Sequence, residues 1–457
     1  MTKKNPDSAP IPGRTFAIKG LFTVALVVFI VVFSSESSAI PSFSRQANMG
    51  CKACHSQHVP ILNGFGQSFK ASGYPIMGPV QGKIEADDLS IPNTLNASML
   101  FKGRYQTSNC TKTNNISGDS TNGGQWQIPD EFSLYFGGRI AQTVGFFFEG
   151  NATSPHLITG FKLPSATYFS DAKLSVIPFL TETQGASYGY EQSSTGAARN
   201  VIWAEHRKEV SAQQYIGSDT PATGFTLVAQ NDNGYINLTR WAPAFMARKD
   251  GAQTLSSSYI RFAITPTLTT TRGDWAIQTG FQVWRGTNYA YDSLTLASGL
   301  RNPLTPTGGP GLMKVDTEAS AFDLQAFGQL AGRELGIYFT WARSPGGTAS
   351  RPNILNVSRP GTNPVGSAEP MLYRLDERKA WTMGAEYSLI PNKLHLGMAY
   401  RNAKTGGPSN VYDGTASVPT VTVPVSNPTD NAITLTAVYN LSQNIEFHVN
   451  ESFYSGT

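Results

Sequence analysis

The stretch Ala380-Trp381-Thr382-Met383-Gly384-Ala385-Glu386-Tyr387-Ser388-Leu389 alternates residue by residue. Trp381, Met383, Ala385, Tyr387 and Leu389 share one face, and Thr382, Glu386 and Ser388 share the other. Period two with one apolar face marks a strand covered on one side only. Ile390-Pro391-Asn392 breaks the run, and Lys393 to Arg401 then repeats it. There Leu394, Leu396, Met398 and Tyr400 oppose His395, Gly397 and Arg401.

The same texture spreads outward from this hairpin. Asn431 to Leu441 presents Ile433, Leu435, Ala437, Tyr439 and Leu441. After a tight Ser442-Gln443 turn, Ile445, Phe447, Val449 and Phe453 alternate with Glu446, His448, Asn450 and Ser452. Similar runs lie at 131–140, 144–150, 259–265, 275–284, 321–330 and 334–341.

A soluble sandwich would turn the apolar faces toward each other, whereas a membrane barrel turns them to lipid. Three features favour the barrel. Tight turns alternate with long polar connections such as 344–377 and 402–430. Trp381, Tyr387, Tyr400, Tyr439 and Tyr454 lie near strand ends, where aromatic girdles belong. Finally, Glu386, His395, Arg401, Glu446 and His448 make the other face too polar for a packed sandwich core. The expected fold class is mainly β: a transmembrane antiparallel β-barrel over 94–457. At roughly one strand per 22–23 residues, that region predicts about sixteen strands.

Composition agrees. Only 14% of residues are charged, with 44 glycines and a net charge of +4. Soluble domains carry about 25% charged residues. No dense basic tract follows the first residues, so nucleic acid is not an expected partner. The one long apolar run, Leu21 to Phe33, follows Lys3, Lys4, Arg14 and Lys19 and precedes the small residues Ser37 and Ala39. This describes a Sec-type signal peptide over 1–39; a retained single-span anchor is the alternative. The mature chain is then expected in the cell outer membrane, in contact with its lipid.

Residues 40–93 differ from the barrel region. Cys51-Lys52-Ala53-Cys54-His55 is the haem-attachment pattern. Two thiols three residues apart match the two vinyl groups of haem, and the adjacent imidazole reaches the iron. The expectation is one covalent haem c, with Cys51 and Cys54 as attachment points and His55 as proximal iron ligand. A zinc site lacks further ligands because no second such pair exists, and a redox disulfide has no use for His55. Cys110 stands alone. For the sixth ligand, Met77 in the Gly73-Tyr74-Pro75-Ile76-Met77-Gly78 turn is the candidate, since methionine ligation raises the potential. His58, His395 and His448 compete with it, and packing of apolar surface is the plainer role for Met77.

Ile40-Pro41-Ser42-Phe43-Ser44-Arg45-Gln46, the Cys-Lys-Ala-Cys-His motif, Phe65-Gly66-Gln67-Ser68-Phe69-Lys70 and Gly73-Tyr74 together resemble the outer-membrane monohaem cytochrome–porin fusions. Characterised members oxidise Fe(II) at the surface of iron-oxidising bacteria. An extra residue before Pro60, and His58 itself, depart from that pattern. The resemblance implies electron transfer from extracellular Fe(II) through the haem to a periplasmic cytochrome or other carrier. If the chain is an enzyme, it is an Fe(II)-oxidising oxidoreductase. The alternatives are a solute porin with an ancillary haem, a conduit for another donor, and a periplasmic electron-transfer protein with a soluble β domain.

Overall fold

The computed structural model describes residues 41–57, 61–79, 81–86, 89–107, 124–153, 157–191, 211–245, 254–271, 273–291, 312–348, 351–358, 372–374, 377–404, 409–411, 421–423, 431–442 and 445–455. The first 40 residues, His58, Cys110 and most of the two long connections near 344–377 and 402–430 lie outside them.

The chain opens with helix α1 (Pro41–Ala47), a 3-10 turn at Cys51–Ala53 and helix α2 (Gly64–Ala71). A small hairpin follows, β1 (Lys83–Ala86) and β2 (Leu89–Pro92). The wall then begins with β3 (Ala97–Gln106), β4 (Gln125–Ala141), β5 (Val144–Asn151), β6 (Ile158–Lys162), β7 (Ser165–Phe169) and β8 (Ala172–Thr181). Helix α3 (Ala212–Tyr215) precedes β9 (Ala222–Asn231), β10 (Gly234–Ala242), β11 (Ser257–Ile264), β12 (Thr267–Thr270) and β13 (Gly273–Arg285). Next come β14 (Thr287–Tyr291), β15 (Leu312–Asp316), β16 (Ala319–Leu330) and β17 (Arg333–Ser344). The remainder is β18 (Val357–Ser358), β19 (Leu372–Arg374), β20 (Arg378–Ile390), β21 (Leu394–Lys404), β22 (Ser409–Val411), β23 (Val421–Val423), β24 (Asn431–Ser442) and β25 (Ile445–Ser455).

Seventeen of these strands form one barrel sheet. Each described register joins antiparallel strands adjacent in the wall, from β3 and β4 through to β24 and β25. Pro164 interrupts one span between β6 and β7, and Pro266 interrupts another between β11 and β12. Proline lacks the N–H a ladder needs. Among the described residues the wall therefore has fifteen spans, close to the expected sixteen. β14–β15 and the four-stranded sheet β18-β19-β22-β23 stand apart from it.

The burial pattern is inverted relative to a soluble sandwich. On β20 and β21, Met383 is 56% and Met398 58% exposed, while Glu386 and His395 are 0%. Along β24, Ile433 and Leu435 point out and Thr434 and Thr436 point in. Apolar outside and polar inside is the transmembrane barrel arrangement. One expected girdle residue falls on the other side. Ser452 bonds the inward Thr434, and Tyr454, two residues on, shares that inward face.

The two ends of the barrel also differ. Tight turns join β4 to β5, β7 to β8, β9 to β10, β12 to β13, β16 to β17, β20 to β21 and β24 to β25. Ala331 and Gly332, both at positive φ, make the β16–β17 turn, the twist-compatible choice for a two-residue hairpin. All the long connections lie at the opposite end. In barrels of this kind the short turns are periplasmic.

Candidate functional site

The Cys-Lys-Ala-Cys-His motif sits on a plug inside this barrel. Residues 41–78 touch strands that are far apart around the ring. Ser42 Oγ is 2.8 Å from Ser98 Oγ on β3. Gln46 Oε1 accepts from the Arg139 amide of β4 at 3.0 Å. Ser175 Oγ on β8 donates to the Ala71 carbonyl. Across the ring, the Tyr338 hydroxyl of β17 donates to Gln57 Oε1 at 2.7 Å. Gln57 Nε2 donates to the Glu386 carbonyl of β20 at 3.0 Å. Lys52 Nζ pairs with Glu334 Oε1 at 3.1 Å. A segment of under forty residues that reaches all these strands occupies the lumen.

It lies toward the short-turn end. Glu334 follows the β16–β17 turn, and Ser68 is bonded by Lys173 beside the β7–β8 turn. A Cβ on Gly73 would come within 2.5 Å of the Thr143 carbonyl in the β4–β5 turn. Gly73 also sits at φ +77, a conformation that only glycine adopts freely. This explains the Gly73-Tyr74 turn: α2 ends there, and the chain doubles back against a barrel turn. Tyr74 then stacks on Phe43 with centroids 4.4 Å apart.

Within the plug, the 3-10 turn places the candidate haem residues together. The His55 and Cys54 amides both donate to the Cys51 carbonyl, at 3.0 and 3.1 Å. One helical turn puts positions separated by three and four on one side, so Cys51, Cys54 and His55 share a face. Both thiols are half-buried and free of a disulfide. Burial, and then Cys51 beside it, push the Cys54 thiol above its usual range. Asn63 caps α2 by accepting from the Gly66 amide at 2.9 Å. The same Asn63 ties that helix to the motif: its amide donates to the Cys54 carbonyl at 2.9 Å, and its Nδ2 to the Ala53 carbonyl at 3.0 Å. This donor set fits a c-type haem: two uncrosslinked thiols and one imidazole on a single rigid face.

Met77 lies on the return limb. Gln46 Nε2 donates to the Tyr74 and Ile76 carbonyls at 2.7 and 2.9 Å. The Gly78 amide donates to the Gln46 carbonyl at 2.7 Å. Met77 is therefore held, half-buried, at the C-terminal end of α1, from which the chain leads directly to Cys51. Of the competing histidines, His395 is fully buried in the wall behind the Gln57 anchor. Its Nδ1 is 2.9 Å from Ser388 Oγ and 3.7 Å from Glu386 Oε1. Solvent does not reach His395 or Glu386 there. His448 sits apart on β25, 3.2 Å from Glu446 Oε2, with its side chain partly exposed.

A second element fills the barrel above the plug. The connection from β8 to β9 folds inward through a 3-10 turn at Ala186–Gly189 and through α3. Tyr190 meets Tyr235 edge to face, with ring centroids 5.0 Å apart. The Ala212 amide reaches Thr340 Oγ1 of β17 at 3.1 Å, and Arg378 of β20 lies 4.2 Å over the Tyr215 ring. Behind Tyr235, Arg261 makes a two-pronged bond to Asp323 at 2.5 and 2.9 Å, with all these groups buried. The charges on β11 and β16 were readable as lumen-facing from alternation; their pairing across 62 residues was not. The Gln46 and Gln57 anchors were equally silent in the sequence, because a polar residue in a short segment carries no periodic signal.

No protein-family model and no curated protein sequence matches this chain. Among solved structures, it is similar to OmpF of Salmonella typhi in complex with daunomycin, with 11% identity and a TM-score of 0.43, over 81% of this chain and 92% of that one. It is also similar to OmpT of Vibrio cholerae, with 10% identity and a TM-score of 0.41, over 82% and 90%. The outer membrane channel DcaP of Acinetobacter baumannii gives 9% identity and a TM-score of 0.38, over 79% and 94%.

Proposed function

We propose that this chain is an outer-membrane electron conduit in which one c-type haem, held by Cys51, Cys54 and His55, accepts electrons from an extracellular donor and yields them to a periplasmic carrier. The observation that supports this most is the anchoring of the motif loop. Gln57, Lys52 and Asn63 fix it between the barrel wall and α2 near the short-turn mouth, where a soluble carrier could dock. Haem supplies one-electron chemistry, and the protein supplies position and electrostatics. The plug's own residues do the positioning: Gln57 clamps the loop to β17 and β20, and Gln46 holds the limb that carries Met77 beside α1. Met77 is our preferred sixth ligand. Fe(II), the donor implied by the family resemblance, is small enough to enter the barrel. The lumen-facing side of β25, with Glu446 and His448 partly exposed, offers it a polar wall.

Anaerobic addition of Fe(II) to the purified holoprotein tests the reading. Reduction of the haem absorption bands is expected, as is loss of covalent haem stain in Cys51→Ala and Cys54→Ala. Met77→Ala is expected to lower the midpoint potential and change the ligand set; an unchanged low-spin spectrum sends the search to His58, His395 and His448. Protease on intact cells is expected to cut within 345–377 or 405–430 and spare the short turns. The second reading, a solute porin with an ancillary haem, is favoured by the same exposed β25 wall. It would win if liposome conductance were high and Fe(II) left the haem oxidised.

A further inference from the structure

The motif Phe65-Gly66-Gln67-Ser68-Phe69-Lys70 has a feature that haem attachment does not explain. Gln67 and Lys70 stand one turn apart on α2, and both are buried, at 5% and 2% exposure. Neither amide atom of Gln67 and none of the Lys70 ammonium protons finds a hydrogen-bond partner among the described residues. A buried donor or acceptor left without a partner bears the full penalty of leaving water, and a charged one bears more. Neighbouring groups do not relieve them. Lys70 Nζ lies 4.1 Å over the Tyr190 ring, which satisfies charge but not its N–H groups. The nearest carboxylate, Glu191, is committed elsewhere: it accepts from the Tyr235 hydroxyl at 2.7 Å and lies 3.5 Å from Arg261. Lys162, the other lysine of this cluster, is used up on the Tyr188 and Glu191 carbonyls, at 2.8 and 3.2 Å.

We infer that Gln67 and Lys70 form a seat for a carboxylate at the boundary between the plug and the inward connection. A carboxylate offers acceptors to both the Gln67 amide and the Lys70 ammonium, and it adds a countercharge where Glu191, shared with Arg261 and Tyr235, makes no hydrogen bond to Lys70. Two sources have this chemistry: a propionate of the haem, or a small organic acid in the lumen. The propionate assignment rests on the proposed function. It has a geometric basis in α2. Gly66 packs so tightly on the motif that a Cβ there would lie 2.3 Å from the Cys54 carbonyl. Gln67 and Lys70 rise only about 1.5 and 6 Å further along the helix. Burial first, and Arg261 with it, bring the Lys70 pKa down to about 8 although Glu191 acts the other way, so a further anion would favour the charged form.

The test uses the full chain in two forms. In the holoprotein, resonance Raman bands of the haem propionates and the midpoint potential are compared among wild type, Lys70→Met, Lys70→Arg and Gln67→Leu. A propionate seat predicts shifted propionate bands and a lower potential in Lys70→Met, with recovery in Lys70→Arg. In the haem-free Cys51→Ala/Cys54→Ala protein, acetate and succinate are titrated by calorimetry. A soluble-acid seat predicts saturable binding that weakens at least tenfold in Lys70→Met. Tyr190→Phe, which keeps the ring over Lys70, serves as the control for packing and should leave both readouts unchanged. If neither the bands nor the titrations respond to Lys70→Met, the carboxylate seat is overturned. If wild type carries no covalent haem, the electron-conduit reading falls, and the titration still decides the seat.

Discussion

β20 and β25 read alike in sequence, yet they meet different surroundings inside the same barrel. Both alternate an apolar outward face with a polar inward one. On β20, Thr382, Glu386 and Ser388 are fully shielded, and the Glu386 carbonyl receives Gln57 of the plug. On β25, Glu446 and His448 stay partly exposed and pair only loosely with each other. Alternation thus reports which way a side chain points and not whether water reaches it. The plug and the inward connection decide that, and they fill the lumen on one side. A buried ionic group is therefore indispensable on the filled side and nearly idle on the open one.

Mutations can sharpen this contrast. The largest effect is expected on the filled side. Asp323→Ala takes the two-pronged partner from the buried Arg261 guanidinium and leaves Glu191 at 3.5 Å; breaking such a buried pair costs about 3–5 kcal/mol. The temperature at which the folded barrel loses its fast gel migration should fall clearly. Gln57→Leu removes two bonds between plug and wall, about 1–3 kcal/mol. It should expose residues 41–57 to added protease while the barrel stays intact. Equal protection of wild type and Gln57→Leu would break the claim that this residue anchors the plug.

A pH effect separates the two sides as well. In the haem-free Cys51→Ala/Cys54→Ala protein, burial holds the Lys70 pKa at about 8, against 10.5 for the free side chain. Below about 8 the lysine is charged in both folded and unfolded chains, so the folded state bears the full desolvation penalty. Between about 8 and 10.5 only the unfolded chain keeps the proton, and stability rises with pH. Lys70→Met should therefore stabilise most below pH 8 and lose its advantage by pH 10.5. The smallest effect is expected on the open side, where Glu446→Gln and His448→Ala should each change stability by under about 0.5 kcal/mol. A loss of several kcal/mol there would show that β25 is sealed after all.

The wall was legible because alternation is a local signal that each strand repeats. The β20–β21 hairpin alone fixes the inward placement of Glu386 and His395, and the structure keeps it. The number of spans was harder to read, because Pro164 and Pro266 split strands without ending them. The Cys51, Cys54 and His55 cluster was legible from spacing. The return of the Met77 limb to the end of α1 could be anticipated from Gly73-Tyr74, although the Gln46 amide that enforces it could not. The inward connection was not legible at all. Tyr188, Tyr190, Gln213 and Gln214 show no period, and what buries them is the barrel's interior, a partner defined only once the wall has closed.

The lumenal position of residues 41–78 also constrains the order of events during biogenesis. The plug is gripped by β3 and β4, the first strands to emerge, and by β17 and β20, which come near the end. The grip on residues 41–78 is therefore completed only when β17 and β20 join the wall, because both bonds of Gln57 go to them. A chain truncated ahead of β17 should keep the contacts to β3, β4 and β8 yet leave Gln57 without its two wall bonds, and added protease should then cut near it.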